Sequence, residues 1–519
     1  MCGLQPMLEG TLELVVPSSS WELAQEGLFL AKSGMSPYDG GVFTGSPLML
    51  VVVQICNQLS GLVGQLAAIL LHAGIDLLCG LLLRTICFRV VTVESTSREK
   101  NLEKWMDEDT KPTVLPPWTS GNGGRDISRL PDAVLAAFLL NPVSIGQCVA
   151  LSGDTIGRLF PLAALAAAQA GCSALSSAFL AAGACLWRFH VAVLLAPAVL
   201  MVARARTCAG PSGAKSRTVE WKEGETEASS FDPRSFPFPT REVLECPVSF
   251  LAWCGVILGA CWLWTSRSWV FLRAAMGAQL LCEDLTPNVG LYWYFFTEIF
   301  PRFRVFFRVL FLSHPYVYIL PATLRLGMFP DVLAHLLLAI FGIFQTYPTL
   351  GDVMLSACLF MCHPRTAARM RLVAPLAFMG VIPTLLMPTM RHLWLRAGTG
   401  NANFYYFQTV IFNVLQCVFV LQFGAAAVKR RKALSTAMAR KGKAAGCKGS
   451  GVGEVPVTAG VVGSAVCLDH EEEDLMKIRS SAQNDDAVDK GVVSGKPTLF
   501  SRPKKEEALG IGACATKIT

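Results

Sequence analysis

The sequence predicts an all-α polytopic membrane protein, a multi-helix transmembrane bundle of about nine to twelve spans. Three observations carry this. The 519 residues are 52% hydrophobic and only 16% charged, whereas soluble domains carry about 25% charged residues. The apolar residues fall in long blocks such as 61–83, 131–150 and 404–427, each near the ~20 residues a helix needs to cross a ~30 Å hydrocarbon layer. These blocks are continuous rather than alternating, which argues against an outer-membrane barrel. A soluble enzyme, a secreted disulfide scaffold and a disordered tail protein are excluded for the whole chain.

The net charge of +7 reports topology rather than nucleic-acid binding, because in a membrane protein the placement of Lys and Arg sets orientation. Most of the 18 Cys sit in apolar runs, where Cys acts as a small hydrophobe. Cys358, Cys362 and His363 have a metal-like spacing. They end an apolar helix and lack a second pair, so packing is expected and no metal or other cofactor is assigned. Residues 1–10 have no basic and apolar leader pattern.

Along the chain, 1–46 reads as a polar N-terminal segment outside the bilayer. Ser18-Ser19-Ser20-Trp21-Glu22 looks like a helix N-cap, and Ser36-Pro37-Tyr38-Asp39-Gly40-Gly41 is turn chemistry. Residues 47–83 are expected to form one bent span. Within it, His72 and Asp76 are four apart and share a face; the plainer reading is a mutually satisfied pair, the alternative a polar ligand contact. A charged loop spans about 84–130. Apolar segments at 131–151, 160–187 and 189–203 follow, with small residues at 163–184 that suit close helix approach. A Gly/Ser/Pro-rich loop covers about 204–245. Further apolar segments lie at 246–264, 303–324, 331–346, 353–362, 372–387 and 404–427. From residue 429 a basic stretch opens a tail read as disordered from 433. The multispanning domain is therefore 47–428.

Lys429, Arg430, Arg431, Lys432, Arg440, Lys441 and Lys443 follow the last span and mark that end as cytosolic. Counting back, 365–371 and 204–245 share that side, while 265–300, 347–352 and 391–403 lie opposite, with 1–46. Trp262, Trp264, Trp269, Tyr292, Trp293 and Tyr294 would form an interfacial belt there. Three apolar segments separate the two large loops, an odd number. Keeping both loops cytosolic requires one segment not to cross, and 131–151, interrupted by Asn141-Pro142, is the expected one. Nothing ahead of the polar start would carry it across, so either a further span upstream is expected or the first apolar stretch inserts unaided.

Three segments on the far side mix amides, turn formers and aromatics: 36–43, 284–296 and 398–406. Asn offers both donor and acceptor to sugar hydroxyls and phosphate oxygens, and neighbouring rings suit sugar or acyl chain. The plainer reading is turns plus interfacial anchors. At these residues the chain resembles the phosphatidylinositol-glycan class U family, the multispanning subunit of the glycosylphosphatidylinositol (GPI) transamidase. The matching stretches are 36–47 (SPYDGGVFTGSP), 139–142 (LLNP), 284–300 (DLTPNVGLYWYFFTEIF), 347–353 (YPTLGDV) and 400–404 (GNANF). The resemblance covers about 14–431.

The resemblance implies a multi-pass endoplasmic-reticulum membrane protein with a GT-C-like bundle. It implies a non-catalytic subunit of a complex that attaches GPI anchors to the C-termini of precursor proteins. Partners would be a caspase-like cysteine protease subunit, a metallopeptidase-like subunit, and the class S and class T subunits, together with the GPI lipid. The family's Asn-Ala-Asn segment carries GPI contact onto Asn401 and Asn403. Asp284, Thr286 and Asn288 would shape the adjoining wall, and the family's acyl-chain region maps onto 292–307, with Tyr292, Trp293 and Phe296 as contacts. Arg391 and Arg396 are candidate phosphate partners. The missing upstream span, a long 84–129 loop and the tail depart from the family pattern; the first points to a truncated gene model.

The alternative is a lipid-linked GT-C glycosyltransferase resembling mannosyltransferases. It needs a carboxylate base or metal holder near the first far-side loop. Glu13, Glu22, Glu26 and Asp39 are separated there, and Asp107-Glu108-Asp109 falls in a cytosolic loop. Only Glu283-Asp284 is an adjacent acid pair on the right side. A transporter would need ionisable residues in several spans, and only His72 and Asp76 are clear.

Overall fold

The computed structural model describes residues 8, 10–41, 43–59, 62–95, 102, 104–106, 129–209, 240–281 and 284–449; Val42, Asp107–Asp109, Glu283 and the tail beyond 449 lie outside them. Among the described residues every regular element is helical. Helix α1 (Trp21–Lys32) starts where the serine cluster announced it: Ser20 accepts from the Leu23 N–H and Glu22 lies in the first turn. Helix α2 (Pro47–Gln58) and helix α3 (Leu62–Ser95) are separate elements within 47–83. Alone, α3 is long enough to cross a bilayer.

Helices α4 (Leu130–Leu139) and α5 (Pro142–Val149) bend by 45° at Asn141-Pro142. The Asn141 side chain accepts from the Val143 N–H at 2.9 Å, and Pro opens the new helix, where its missing N–H costs nothing. Helices α6 (Asp154–Gln169) and α7 (Ser173–Leu186) follow. A 3-10 turn (Phe189–Leu194) leads into α8 (Leu195–Ala209), and α9 is Thr240–Trp264. After a π-helical turn (Leu272–Gly277) come α10 (Tyr292–Glu298), α11 (Pro301–Val317) and α12 (Ile319–Leu326). The chain closes with α13 (Pro330–Phe344), α14 (Leu350–Met361), α15 (Val373–Leu395) and α16 (Ala402–Gly449).

Among the described residues six helices are long and apolar enough to cross a membrane, seven if the bent α4–α5 pair counts as one span. Nine to twelve spans are reached only by adding the four shorter apolar helices α2, α7, α13 and α14. The odd segment count resolves differently from the expectation. Residues 160–187 are two antiparallel helices, broken at Gly171, whose φ of +79° suits glycine. The α4–α5 pair, whose 45° bend fits a broken span or a re-entrant loop, runs from Asp132, paired with Arg84 of α3 at 2.6 Å, to Gln147, which reaches the Leu14 carbonyl. With 160–187 as two helices, the helical segments between the two large loops number four when the bent pair counts as one, an even count.

Small residues let α6, α7 and α9 approach closely. Ser176 donates to the Ala164 carbonyl at 3.0 Å and Ser177 to that of Cys246 at 3.1 Å, interhelical polar contacts of the kind that hold apolar helices together. His72 and Asp76 are not a pair. His72 Nδ1 bonds its own helix at Ala68 O, 2.8 Å, and its ring meets Trp21; Asp76 faces Arg158 of α6 at 3.8 Å. Cys358 and Cys362 are buried, Cys362 against the Cys358 carbonyl, while His363 bonds His335 at 2.5 Å. The aromatic belt divides: Trp264 and Trp269 are exposed, whereas Tyr292 and Trp293 are buried.

The basic stretch does not open a disordered tail at 433. Helix α16 runs on to Gly449, with Ala433, Leu434 and Ala437 buried against Leu102 and Met106. Arg430, 2% exposed, donates to Glu94 at 2.6 Å and to Thr366 at 3.1 Å and lies over the Phe329 ring. Removing one partner of a buried pair strands the other charge. Arg430→Met is expected to cost about 3 kcal/mol, read as a lower melting temperature of the full chain in detergent. Adding Glu94→Gln should recover most of the loss.

Candidate functional site

The end of the bundle opposite Arg430 is built from segments far apart in sequence. A cap closes it: Gly153 N donates to Ser19 O, and Leu350 N to Glu13 O at 3.0 Å. Gln147 donates to Leu14 O at 2.9 Å. Gly351 lets the Gln147 amide lie close: a Cβ there would fall 2.1 Å from its oxygen and the Gln147 side chain would have to shift. Beneath the cap lies Arg188, 9% exposed. It donates to Asp154 at 2.6 Å, to Asp352 at 3.0 Å and to Gln345. Asp352 also accepts from the Thr349 N–H at 2.9 Å. One guanidinium thus joins α6, α14 and the turn before α14. Nothing in the residue types marked Arg188; the available signal was a charge interrupting an apolar stretch.

Beside Arg188 is a cavity of about 60 Å³, lined by Gln279, Gln345, Thr346 and Tyr347 and walled by Tyr316, Phe341 and Phe344. This volume holds a few water molecules.

The 284–290 loop seats on the same turn. Asp284 Oδ1 accepts from the Thr286 N–H at 2.9 Å and from its hydroxyl at 2.6 Å. The Tyr347 hydroxyl donates to Asp284 O at 2.9 Å. Asn288 is buried; its amide donates to the Thr286 and Thr346 carbonyls and its oxygen accepts from the Gly290 N–H at 2.7 Å. The Asn288 side chain is therefore consumed within the wall.

Helix α10 then lies against the start of α16. The Tyr294 hydroxyl donates to Asn403 Oδ1, Tyr406 to the Leu291 carbonyl at 3.1 Å, and Asn413 to that of Val289 at 2.7 Å. The Tyr294 and Tyr406 rings stack at 4.5 Å. Asn401 and Asn403 are exposed, and Asn401 Oδ1 also accepts from the Phe404 N–H. Tyr292, Trp293 and Phe296 are covered by the protein itself: Trp293 packs against Trp394, Tyr405 and Tyr406, and Tyr292 against Phe311. The outward aromatic surface next to them is Phe300, Phe303 and Phe306, each more than half exposed.

Arg391 is committed inside the fold. It lies 3.2 Å from the buried Glu13 carboxylate and donates to Gly10 O at 2.8 Å; Arg396 ends α15, exposed. Of the first-loop acids, Glu22, Glu26 and Asp39 are exposed. Among the described residues no group of three His, Cys, Asp or Glu is placed to hold a metal.

Burial pushes the Glu13 carboxyl above its ordinary range, against the lowering influence of Arg391. A raised acid stabilises the fold fully below its unfolded value, ~4.3, and that contribution is lost as pH rises through the folded value. Glu13→Gln is expected to flatten this fall in melting temperature. Equal slopes for the wild-type and variant chains would show that Glu13 does not titrate there.

The family model described as GPI transamidase subunit PIG-U matches residues 1–412. The chain is 29% identical over 432 residues to the GPI-anchor transamidase component PIGU of Cricetulus griseus and 28% to that of Homo sapiens, in each case over 82% of this chain and 90% of the relative. It is 26% identical over 400 residues to the GPI transamidase component GAB1 homolog of Schizosaccharomyces pombe, 77% of this chain and 82% of that one. A helical chain with membrane-length spans, matched over most of its length in this way, belongs to the PIG-U family of GPI transamidase subunits.

Proposed function

We propose that this chain is a non-catalytic subunit of the GPI transamidase complex of the endoplasmic-reticulum membrane, one that binds the GPI glycolipid and presents it for attachment to precursor proteins. The observation that carries the reading is the meeting of 284–290, 346–352 and 400–406 at one end of the bundle, where exposed amides adjoin exposed aromatics. Asn401 and Asn403 hydrogen-bond glycan or phosphate oxygens. Asp284, Thr286 and Asn288 fix the wall beside them. Tyr292, Trp293 and Phe296 form the packed backing of a shelf on which Phe300, Phe303 and Phe306 meet acyl chain. Catalysis belongs to the caspase-like partner, with the metallopeptidase-like, class S and class T subunits completing the assembly. Supporting this division, Asp154 and Asp352 are both engaged by Arg188, and a carboxylate held that way is a poor general base.

Asn401→Ala with Asn403→Ala is expected to reduce GPI attachment at least tenfold in cells lacking the endogenous subunit, while co-purification of the other subunits is unchanged. Because Asn401 also caps α16, and losing a cap costs about 1 kcal/mol, Asn401→Asp with Asn403→Asp is the companion: it keeps the acceptor oxygens and removes the amide donors. Normal attachment by both double variants would refute the contact.

A further inference from the structure

Helix α11 carries a feature that the glycolipid reading does not use. Helices α10 and α11 form a hairpin: the Tyr292 hydroxyl donates to Phe311 O at 3.1 Å, and the Phe295 ring meets Phe307 and Phe311. Its tip at 299–301 lies beyond the Tyr294–Asn403 contact, and α11 descends from it. Arg304 and Arg308 sit one and two turns below the tip. Being four apart they share a face, about 6 Å apart along the axis. Both are half-buried, and the Nε of each is buried without a hydrogen-bond partner. The Arg308 guanidinium lies 5.9 Å from the centroid of the Phe296 ring, a stacking that holds it in place. The next residue of the stripe, Leu312, lines the cavity beside Arg188. To either side, Phe303, Val305, Phe306, Val309 and Leu310 are exposed.

Two guanidinium groups on a helix with greasy flanks need an anion, because charge is expensive at a lipid boundary. Among the described residues no carboxylate is ion-paired with either: Asp154, Asp352 and Glu13 are engaged by Arg188 and Arg391, and Glu298, exposed at the hairpin tip, lies beside Tyr294. The remaining source of negative charge is the lipid. A planar guanidinium matches a phosphodiester in bidentate fashion, and two such groups one helical turn apart can hold one phosphate between them. We propose that Arg304 and Arg308 clamp the phosphodiester of an anionic glycerophospholipid, whose acyl chains run along the Phe303–Phe306–Leu310 flank. The clamp rests on the glycolipid reading for its acyl flank, since Phe303 and Phe306 serve both; it adds a phosphate contact on Arg304 and Arg308, and a loss of lipid adduct with GPI attachment intact, or the reverse, separates the two.

The test uses the full chain purified in detergent and native mass spectrometry of lipid adducts. The probes are phosphatidylinositol, phosphatidylcholine and diacylglycerol, the last having the same chains without phosphate. Wild-type chain is expected to keep one phosphatidylinositol adduct at least tenfold more populated than a diacylglycerol adduct and above that of phosphatidylcholine. Millimolar inorganic phosphate should not displace it. Arg304→Gln with Arg308→Gln should reduce the phosphatidylinositol adduct at least tenfold and leave diacylglycerol unchanged. Arg304→Lys with Arg308→Lys, which keeps the charge and loses the fork, should fall between. Equal retention of phosphatidylinositol and diacylglycerol by the wild-type chain overturns the clamp even if no variant folds. Displacement by inorganic phosphate alone would make it a free-anion site and overturn the lipid assignment, and unchanged binding by the Gln pair would place the phosphate elsewhere.

Discussion

Arg188 is the constraint on which the far end of this molecule depends. A guanidinium inside an apolar bundle is tolerated only when its charge and donors are met. Here Asp154, Asp352 and Gln345 meet them from different segments. Because Asp352 also caps the start of α14 through Thr349, meeting the charge of Arg188 sets where the 346–352 turn lies. That turn in turn receives the 284–290 loop through Tyr347 and Thr346. A rim of loops at a lipid–water boundary would otherwise be soft; the buried charges beneath it hold its members in register.

The opposite end uses the same device to a different purpose. Arg430, Glu94 and Thr366 join α16, α3 and the turn after α14, and Arg204 reaches Asp331 of α13. Between these polar ends lies a core of aliphatic and small residues centred on Leu83, Phe138, Leu162, Leu180 and Met201. The outer helices α9, α11, α12 and α15 are hardly covered by the rest of the chain. A chain with so much apolar surface is made to be covered by lipid or by other subunits. This agrees with membership of a family of complex subunits, and it places the exposed amides of Asn401 and Asn403 beside an apolar flank.

Helical class and membrane residence were legible in the sequence because they follow from how many apolar residues there are and how they are blocked, and those are properties of the chain itself. The Ser20 cap and the break at Asn141-Pro142 were legible too, since capping and the proline ring act within a few residues. What the sequence did not disclose were choices made between distant segments. The hairpin at Gly171 was hidden because an apolar run of that length fits one long span or two short helices, and hydropathy does not distinguish them. His72 and Asp76, a natural pair by spacing, were parted because Trp21 and Arg158 come to them from other helices. Residues 433–449 looked like tail by composition and became helix, with Arg430 anchoring the approach.

At the rim the same division holds. Composition singled out the amide-rich and aromatic segments, and the family resemblance put roles on them. Tertiary structure alone decided that Asn288 and Trp293 face inward while Asn401 and Asn403 face out, and that Arg391 serves Glu13. It alone gathered Arg188, Asp154 and Asp352 into one cluster. A residue's type fixes what it can bond; whether that capacity is spent inside the fold or left for a ligand depends on which helix ends arrive beside it, and that is settled by packing over the whole bundle.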